Sequence, residues 1–239
     1  MSKELSDAAI KAFFSEVKHE YQAVGKLRPT VRTKTDVTGS TADFQLMGKG
    51  IGRKRTPQSE VSPMNVSHSK PTVTLQDWEF PEFTDIFDDQ KTNIDERQEL
   101  AFTIGAAMGR REDQIIIDSV DAGSFTGDQL VEENVGAVNA FNTEKIRNAM
   151  AHFDDLEIPE EDRHIVATST AKRQLLGTTA PTSADFAHVR ALVNVELDTW
   201  MGFNFHWIGS NRDEGGLPIA SNIASNFAYH RQALGYAIG

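Results

Sequence analysis

Residues 77–120, DWEFPEFTDIFDDQ running into KTNIDERQELAFTIGAAMGRREDQIIIDSV, decide how the rest of this chain is read. An aromatic, acidic lead-in delivers a long helical run. Asn93 followed three residues later by Glu96 fits a capping box, and Leu100, Ala101, Ile104, Met108 and Ile115 recur at helical spacing. The pattern predicts a helix of roughly 27 residues, or about 40 Å at 1.5 Å per residue. That is long for a helix in an ordinary globular domain. Trp78, Phe80 and Phe83 stand where they would fill the junction between this helix and whatever precedes it.

Outward toward the N-terminus, residues 27–77 change period. Val31, Thr33, Thr35 and Val37 alternate, Gly39-Ser40 signals a turn, and a second alternating run passes through Phe44 and Leu46. These read as hairpin strands. Residues 48–69, GKGIGRKRTPQSEVSPMNVSHS, are almost devoid of apolar side chains, and a strand resumes at Thr72–Leu75. A polar loop of this length inside a domain signals function or disorder. Its tip carries Lys49, Arg53, Lys54 and Arg55 against one acid, Glu60: a basic finger on an acidic protein. Gly48, Gly50 and Gly52 beside those cations suggest a phosphate cradle, but they alternate and lead to Pro57 with no helix following, so neither the P-loop nor the dinucleotide spacing is met. Before the strands, Ile10, Phe13, Phe14, Val17, Tyr21 and Val24 make one face of an amphipathic helix that Gly25 would stop.

Beyond the long helix, residues 121–140 are glycine-rich and turn-prone. A second amphipathic helix follows, capped by Asn142 or Thr143, with Ile146, Ala149, Met150, Phe153 and Leu156 as its buried face. The strand His164–Ala167 and a short helix capped by Ser169 or Thr170 and stopped by Gly177 come next. A candidate helix at 184–197 then feeds the strand GFNFHWIG, on which Phe203, Phe205 and Trp207 share a face expected to be core. His206, between aromatics, reads as that strand's polar side. The C-terminal SNFAYHRQALGYAIG begins as a strand and ends apolar, which favours burial against the fold. Residues 141–222 form an α/β unit.

Composition narrows function by exclusion. With 239 residues the chain can bury a substantial core, and with no cysteine it has no disulfide, thiolate metal site or cysteine nucleophile. Met1 opens onto SKELSDAAIKAFF, too charged for a secretory or membrane segment. Thirty-five acids against 24 bases give a formal net charge of −11, unsuited to wrapping nucleic acid by general electrostatics. No Gly-x-Ser-x-Gly elbow and no His-x-x-x-His pair occurs. The carboxylate runs at Asp154-Asp155 and Glu160–Asp162 read as solvated turns, so no catalytic, cofactor or metal residue is assigned.

The order of these pieces carries a resemblance. The basic loop, PMNVSHSKPTVTLQDWEFPEF, KTNIDERQELAFTIGAAMGRREDQIII, LEIPEEDRHIVATSTAKRQLL, LVNVELDTWMGFNFHWIGSN and the terminal SNFAYHRQALGYAIG together resemble the major capsid proteins of tailed bacteriophages with the Hong Kong 97 fold, over nearly the whole chain. The resemblance implies an α+β fold with an N-terminal arm (1–30), an extended E-loop β-hairpin (31–76), a peripheral domain with a spine helix (77–140 and 223–239) and an axial domain (141–222). It implies a structural protein, with no enzymatic activity and no cofactor, that self-assembles as pentamers and hexamers of an icosahedral head shell around double-stranded DNA. Assembly in the host cytoplasm with a separate scaffolding protein and a portal, no membrane partner and no sequence-specific DNA binding complete the expectation. An encapsulin-like compartment of the same fold and a soluble α+β enzyme are the alternatives. For the shell, Lys49, Arg53, Lys54 and Arg55 are expected to meet Asp85, Asp88, Asp89 and Glu96 of a neighbouring copy.

Overall fold

The computed structural model describes residues 24–55, 57–58, 60–61, 63–82, 96–123, 125, 129, 131, 135, 140–177, 198–210, 212, 214–221 and 223–239, with side chains of the long helix from residue 100 onward. The capping box at Asn93, the amphipathic run before Val24, Phe83 and the candidate helix at 184–197 lie outside the described residues.

The long helix is α1 (Glu96–Asp121), 26 residues. Its buried stripe differs from the expected one. Ala106, Asp113, Ile116, Ile117 and Val120 face inward, whereas Ala101 is exposed and Met108 is 50% exposed. The stripe keeps helical spacing but runs through a carboxylate, and an apolar count skips that position.

α1 packs on one face of a four-stranded sheet ordered β11-β6-β8-β7, formed by β6 (Arg163–Thr168), β7 (Thr199–Trp200), β8 (Phe203–Ile208) and β11 (Phe227–His230). β6 and β8 are parallel, with Ile165 opposite Phe205, and β11 and β7 are antiparallel additions. β6 is central and buried along its whole length, as a strand covered on both faces must be. On one face Ile165, Ala167, Phe203 and Phe205 pack against α2 (Thr143–Asp155) and α3 (Ser169–Leu176) through Ile146, Phe153, Ala171 and Leu175. The rings of Phe153 and Phe203 meet edge to face at 5.4 Å, and Trp207 stacks on Phe205 at 5.2 Å while remaining partly exposed. On the other face Val166, Ile208 and Tyr229 join Leu27, Val31, Ile116, Ile117 and Leu217. The sheet is therefore the middle of three layers.

Local chemistry explains the ends of these elements. Asn142 caps α2 by accepting from the Lys145 amide at 3.0 Å. α3 is capped one residue earlier than expected, by Thr168, whose hydroxyl accepts from the Ala171 amide at 3.2 Å. Leu156, expected in the buried face of α2, is 46% exposed because the helix ends at Asp155 and the chain turns at Glu157 with φ 54°. Arg163 is 2% exposed, and its guanidinium is held by the carbonyls of Ile158 and Pro159 and by Asp154 at 2.8 Å.

Strand pairing near the N-terminus departs from the expected hairpin. β1 (Arg32–Lys34) pairs in parallel with the C-terminal strand β12 (Gly235–Ala237), the Thr33 backbone lying opposite Tyr236. The hairpin is made instead by β2 (Thr41–Asp43) with β5 (Thr72–Thr74) and β3 (Leu46–Met47) with β4 (His68–Ser69). The bend at Asp36 (φ 59°) and Gly39 (φ 108°) turns the chain out of β1's line before β2 begins. A short antiparallel pair, β9 (Ile219–Ala220) and β10 (Ile223–Ala224), precedes β11. The stretch 223–239 thus serves two places, β11 in the central sheet and β12 beside β1.

Candidate functional site: a projecting hairpin and the buried knot behind it

At the centre of α1 sits a fully buried carboxylate. An unpaired buried charge is prohibitive, so its partners define the site. Asp113 accepts from the backbone amides of Lys26 at 3.0 Å and Leu27 at 2.8 Å, and pairs with Arg212 at 2.9 Å. Arg212, with a side chain 4% exposed, also donates to the Val24 carbonyl at 3.2 Å. Three segments remote in sequence, 24–27, the middle of α1, and 212–217, are fastened by one side chain.

Two glycines let the backbones come this close. A Cβ on Gly25 would lie 2.7 Å from the Gly109 carbonyl oxygen. Gly215 has φ 71°, a Cβ there would fall 2.8 Å from the Arg110 carbonyl, and its amide donates to Gln114 Oε1 at 2.7 Å. Beside the knot, the Arg111 guanidinium lies 3.5 Å above the Trp78 ring. Trp78, expected to fill a junction, is 46% exposed and is held on α1 by this cation-π contact, while Phe80 is partly buried. Sequence reading missed Asp113, Arg212 and Arg111. The only signal was a charged residue at an inward position of an otherwise regular helix.

The hairpin begins on the β1–β12 pair. Phe44 is 7% exposed at its base, beneath the Arg32 guanidinium at 4.7 Å and against Gly235, where a Cβ would lie 2.9 Å from the ring. Above it, Asp43 bonds Lys70 at 2.7 Å and the Thr72 hydroxyl at 2.7 Å, which holds its carboxyl below the usual value. Beyond that point the described residues are covered very little. Met47, Ile51, Val61 and Met64 are 73, 79, 71 and 58% exposed, and Lys49, Arg53, Lys54 and Arg55 are exposed among them. Apolar and cationic side chains are thus exposed together, and the loop expected to be almost devoid of apolar side chains carries Ile51, Val61 and Met64 on its surface. Asp85, Asp88 and Asp89 lie outside the described residues, as does the side chain of Glu96, so only the basic half of the expected pairing is placed.

Among the described residues no cluster of three or more His, Asp or Glu side chains could hold a metal ion, and no helix is long and apolar enough to cross a membrane.

Residues 5–239 match the family model described as phage capsid protein. The chain belongs to that family. It is a structural protein of the phage head, a major capsid protein, and its place is in the virion. Membership implies a non-enzymatic role and lends no support to a cargo compartment or an unrecognised enzyme. Solved phage capsids share the fold. The capsid of cyanophage P-SCSP1u matches with a TM-score of 0.69 and 16% identity over 98% of this chain and 80% of that one. The capsid of Ralstonia phage GP4 matches with a TM-score of 0.63 and 13% identity, covering 93% and 80%. Mycobacterium phage Che8 matches with a TM-score of 0.59 and 13% identity, covering 93% and 80%. No curated protein matches the chain.

Proposed function

We propose that this capsid protein builds a closed icosahedral shell of pentamers and hexamers, in the manner of the Hong Kong 97 fold, around double-stranded DNA. In this reading the hairpin is an E-loop, α1 the spine helix of a peripheral domain (77–140 and 223–239), residues 141–222 the axial domain, and residues 1–30 an arm. The observation that carries the reading is the hairpin. It is anchored at Phe44, and past that anchor it presents unburied Met47, Ile51, Val61 and Met64 with a cationic tip. A second copy supplies cover for such a surface, and ring symmetry repeats the contact at every subunit.

The tip would lie over the acidic lead-in of the next subunit, Lys49, Arg53, Lys54 and Arg55 meeting Asp85, Asp88, Asp89 and Glu96. Each exposed pair is worth only about 0 to 1 kcal/mol, so the assembled ring depends on their sum and on the apolar contacts between them. A net charge of −11 per copy fits an inner wall that holds its genome by enclosure, without sequence-specific contacts. Assembly in the host cytoplasm on a separate scaffolding protein, with a portal at one vertex, belongs to the same proposal. Electron microscopy of the purified protein tests it. Closed shells are expected from the wild type, and none from a variant with all four cations changed to Glu, whose subunit still unfolds at the wild-type urea midpoint. Shells formed by that variant at wild-type yield overturn the pairing, and failure of the wild type to form shells with scaffold supplied overturns the proposal.

A further inference from the structure

Two imidazoles meet on the sheet face that α1 covers. His164 of β6 and His206 of β8 bring Nδ1 and Nε2 to 3.1 Å, with ring centroids 5.1 Å apart. One nitrogen of the contact donates and the other must keep its lone pair, so the bond survives only while at least one ring is neutral. Nε2 of His164 is buried without a hydrogen-bond partner among the described residues, so a proton there has nothing to receive it.

The surroundings oppose charge on both rings. Burial, and then the neighbouring His206, push His164 from its ordinary 6.5 down to about 4, with Arg231 and His230 acting in the same direction and Asp162 against them. Burial, then Lys26, lowers His206, while Asp113 and Asp198 act the other way. Asp113 is already committed to Arg212 and two amides.

The pair lies directly under the segment that Asp113 clips. The His164 ring is 6.1 Å from that of Tyr229. The Tyr229 hydroxyl is 2.7 Å from Thr30 Oγ1, and the single hydroxyl proton of Thr30 goes to the Leu27 carbonyl at 2.6 Å, so tyrosine is the donor to threonine. On the neighbouring strand, the carbonyl of Trp207, next in sequence to His206, accepts from Lys26 Nζ at 3.2 Å. Residues 26–31 are thus a strap bound to the sheet immediately beside both histidines.

We propose that the His164–His206 contact is an acid-sensitive latch, and that charging both rings drives them apart, displaces Tyr229 and loosens residues 26–31 from the sheet. The sign follows from the two depressed histidines. Their contribution to the docked state is complete above about pH 6.5 and is lost as pH falls toward 4, because the undocked chain binds those protons first. A fall from 6.5 to about 4 for His164 alone amounts to roughly 300-fold in the docking equilibrium, and solvent reaching the pair reduces the expected effect to about 10- to 100-fold.

Hydrogen exchange on the full chain, read by mass spectrometry over residues 24–34 and corrected for the intrinsic pH dependence of exchange, tests the latch. Protection is expected to fall at least about tenfold between pH 7 and pH 4 in the wild type. The double variant His164→Gln, His206→Gln, which keeps two hydrogen-bonding groups that do not titrate, is expected to hold its pH 7 protection. A wild type that keeps its protection at pH 4, or a double variant that loses it equally, overturns the proposal. Should the double variant not fold, imidazole titration of the wild type by NMR decides. At least one of the seven histidines still neutral at pH 5.5 supports the latch, and none still neutral overturns it.

Discussion

Replacing Asp113 with Ala removes the acceptor on which three chain segments converge, and the cost can be built from its parts. Arg212, with a side chain 4% exposed, is left as an uncompensated buried cation, and breaking a buried pair in this way costs about 3 to 5 kcal/mol. The amides of Lys26 and Leu27 lose their acceptor as well, at about 1 to 3 kcal/mol for each group that water cannot reach. These losses overlap, since a collapsing strap admits water, so a total of about 4 to 6 kcal/mol is expected, close to the whole stability of many domains. Urea unfolding of the unassembled subunit, followed by circular dichroism, measures it. Adding Arg212→Met removes the stranded cation and should restore part of the loss, about 2 to 3 kcal/mol, but not the part owed to the two amides. A loss below about 1 kcal/mol for Asp113→Ala, or full recovery in the double variant, would refute the view that one carboxylate carries both a charge partner and the strap's backbone.

Phe205→Ala, at a residue 5% exposed between α2 and Trp207, should cost about 3 to 5 kcal/mol in the same assay, and an unchanged urea midpoint would place that face outside the core. Two glycines at the same helix separate space from flexibility. Gly25→Ala should destabilise by about 1 to 3 kcal/mol, because its Cβ meets the Gly109 backbone, whereas Gly105→Ala, with nothing within 4 Å, should stabilise by up to about 1 kcal/mol. Equal effects of the two would show that the close approach of the strap is not maintained in solution. Labelled duplex DNA titrated into unassembled subunit at about 150 mM salt should bind no more tightly than roughly 10⁻⁶ M, and tighter binding would reassign the cations of the hairpin to the genome.

Much of this architecture can be read from residues near one another in the chain. The long helix, the second helix with Asn142 at its cap, the strands around Ile165 and Phe205 and the polar finger all follow from local period and capping chemistry. The ends of elements were less legible. Thr168 caps α3 although Ser169 and Thr170 are equally suited by type, because β6 runs one residue further than expected, through Thr168, and the helix begins at the very next residue. The first alternating run was legible as a strand and illegible as to its partner. β1 could have turned back at Gly39, but its unpaired edge met the C-terminal strand, a choice made at Gly235–Ala237, at the far end of the chain.

The candidate site divides along the same line. Cationic residues in a long polar loop are visible without a fold, and so is the order of segments that marks a phage capsid protein. Asp113 is not, since a carboxylate on a helix is by default a solvated one, and only the convergence of Lys26, Leu27 and Arg212 makes its burial affordable. The meeting of His164 with His206 is hidden for the same reason, because two residues 42 apart become neighbours only through the parallel register of β6 and β8. Sequence alone determined the elements and the surface chemistry of the finger, since period, caps and charge act within a few residues. Tertiary structure decided which strands pair, which charge is buried and which histidines touch, because burial and pairing are properties of chain segments brought together from far apart.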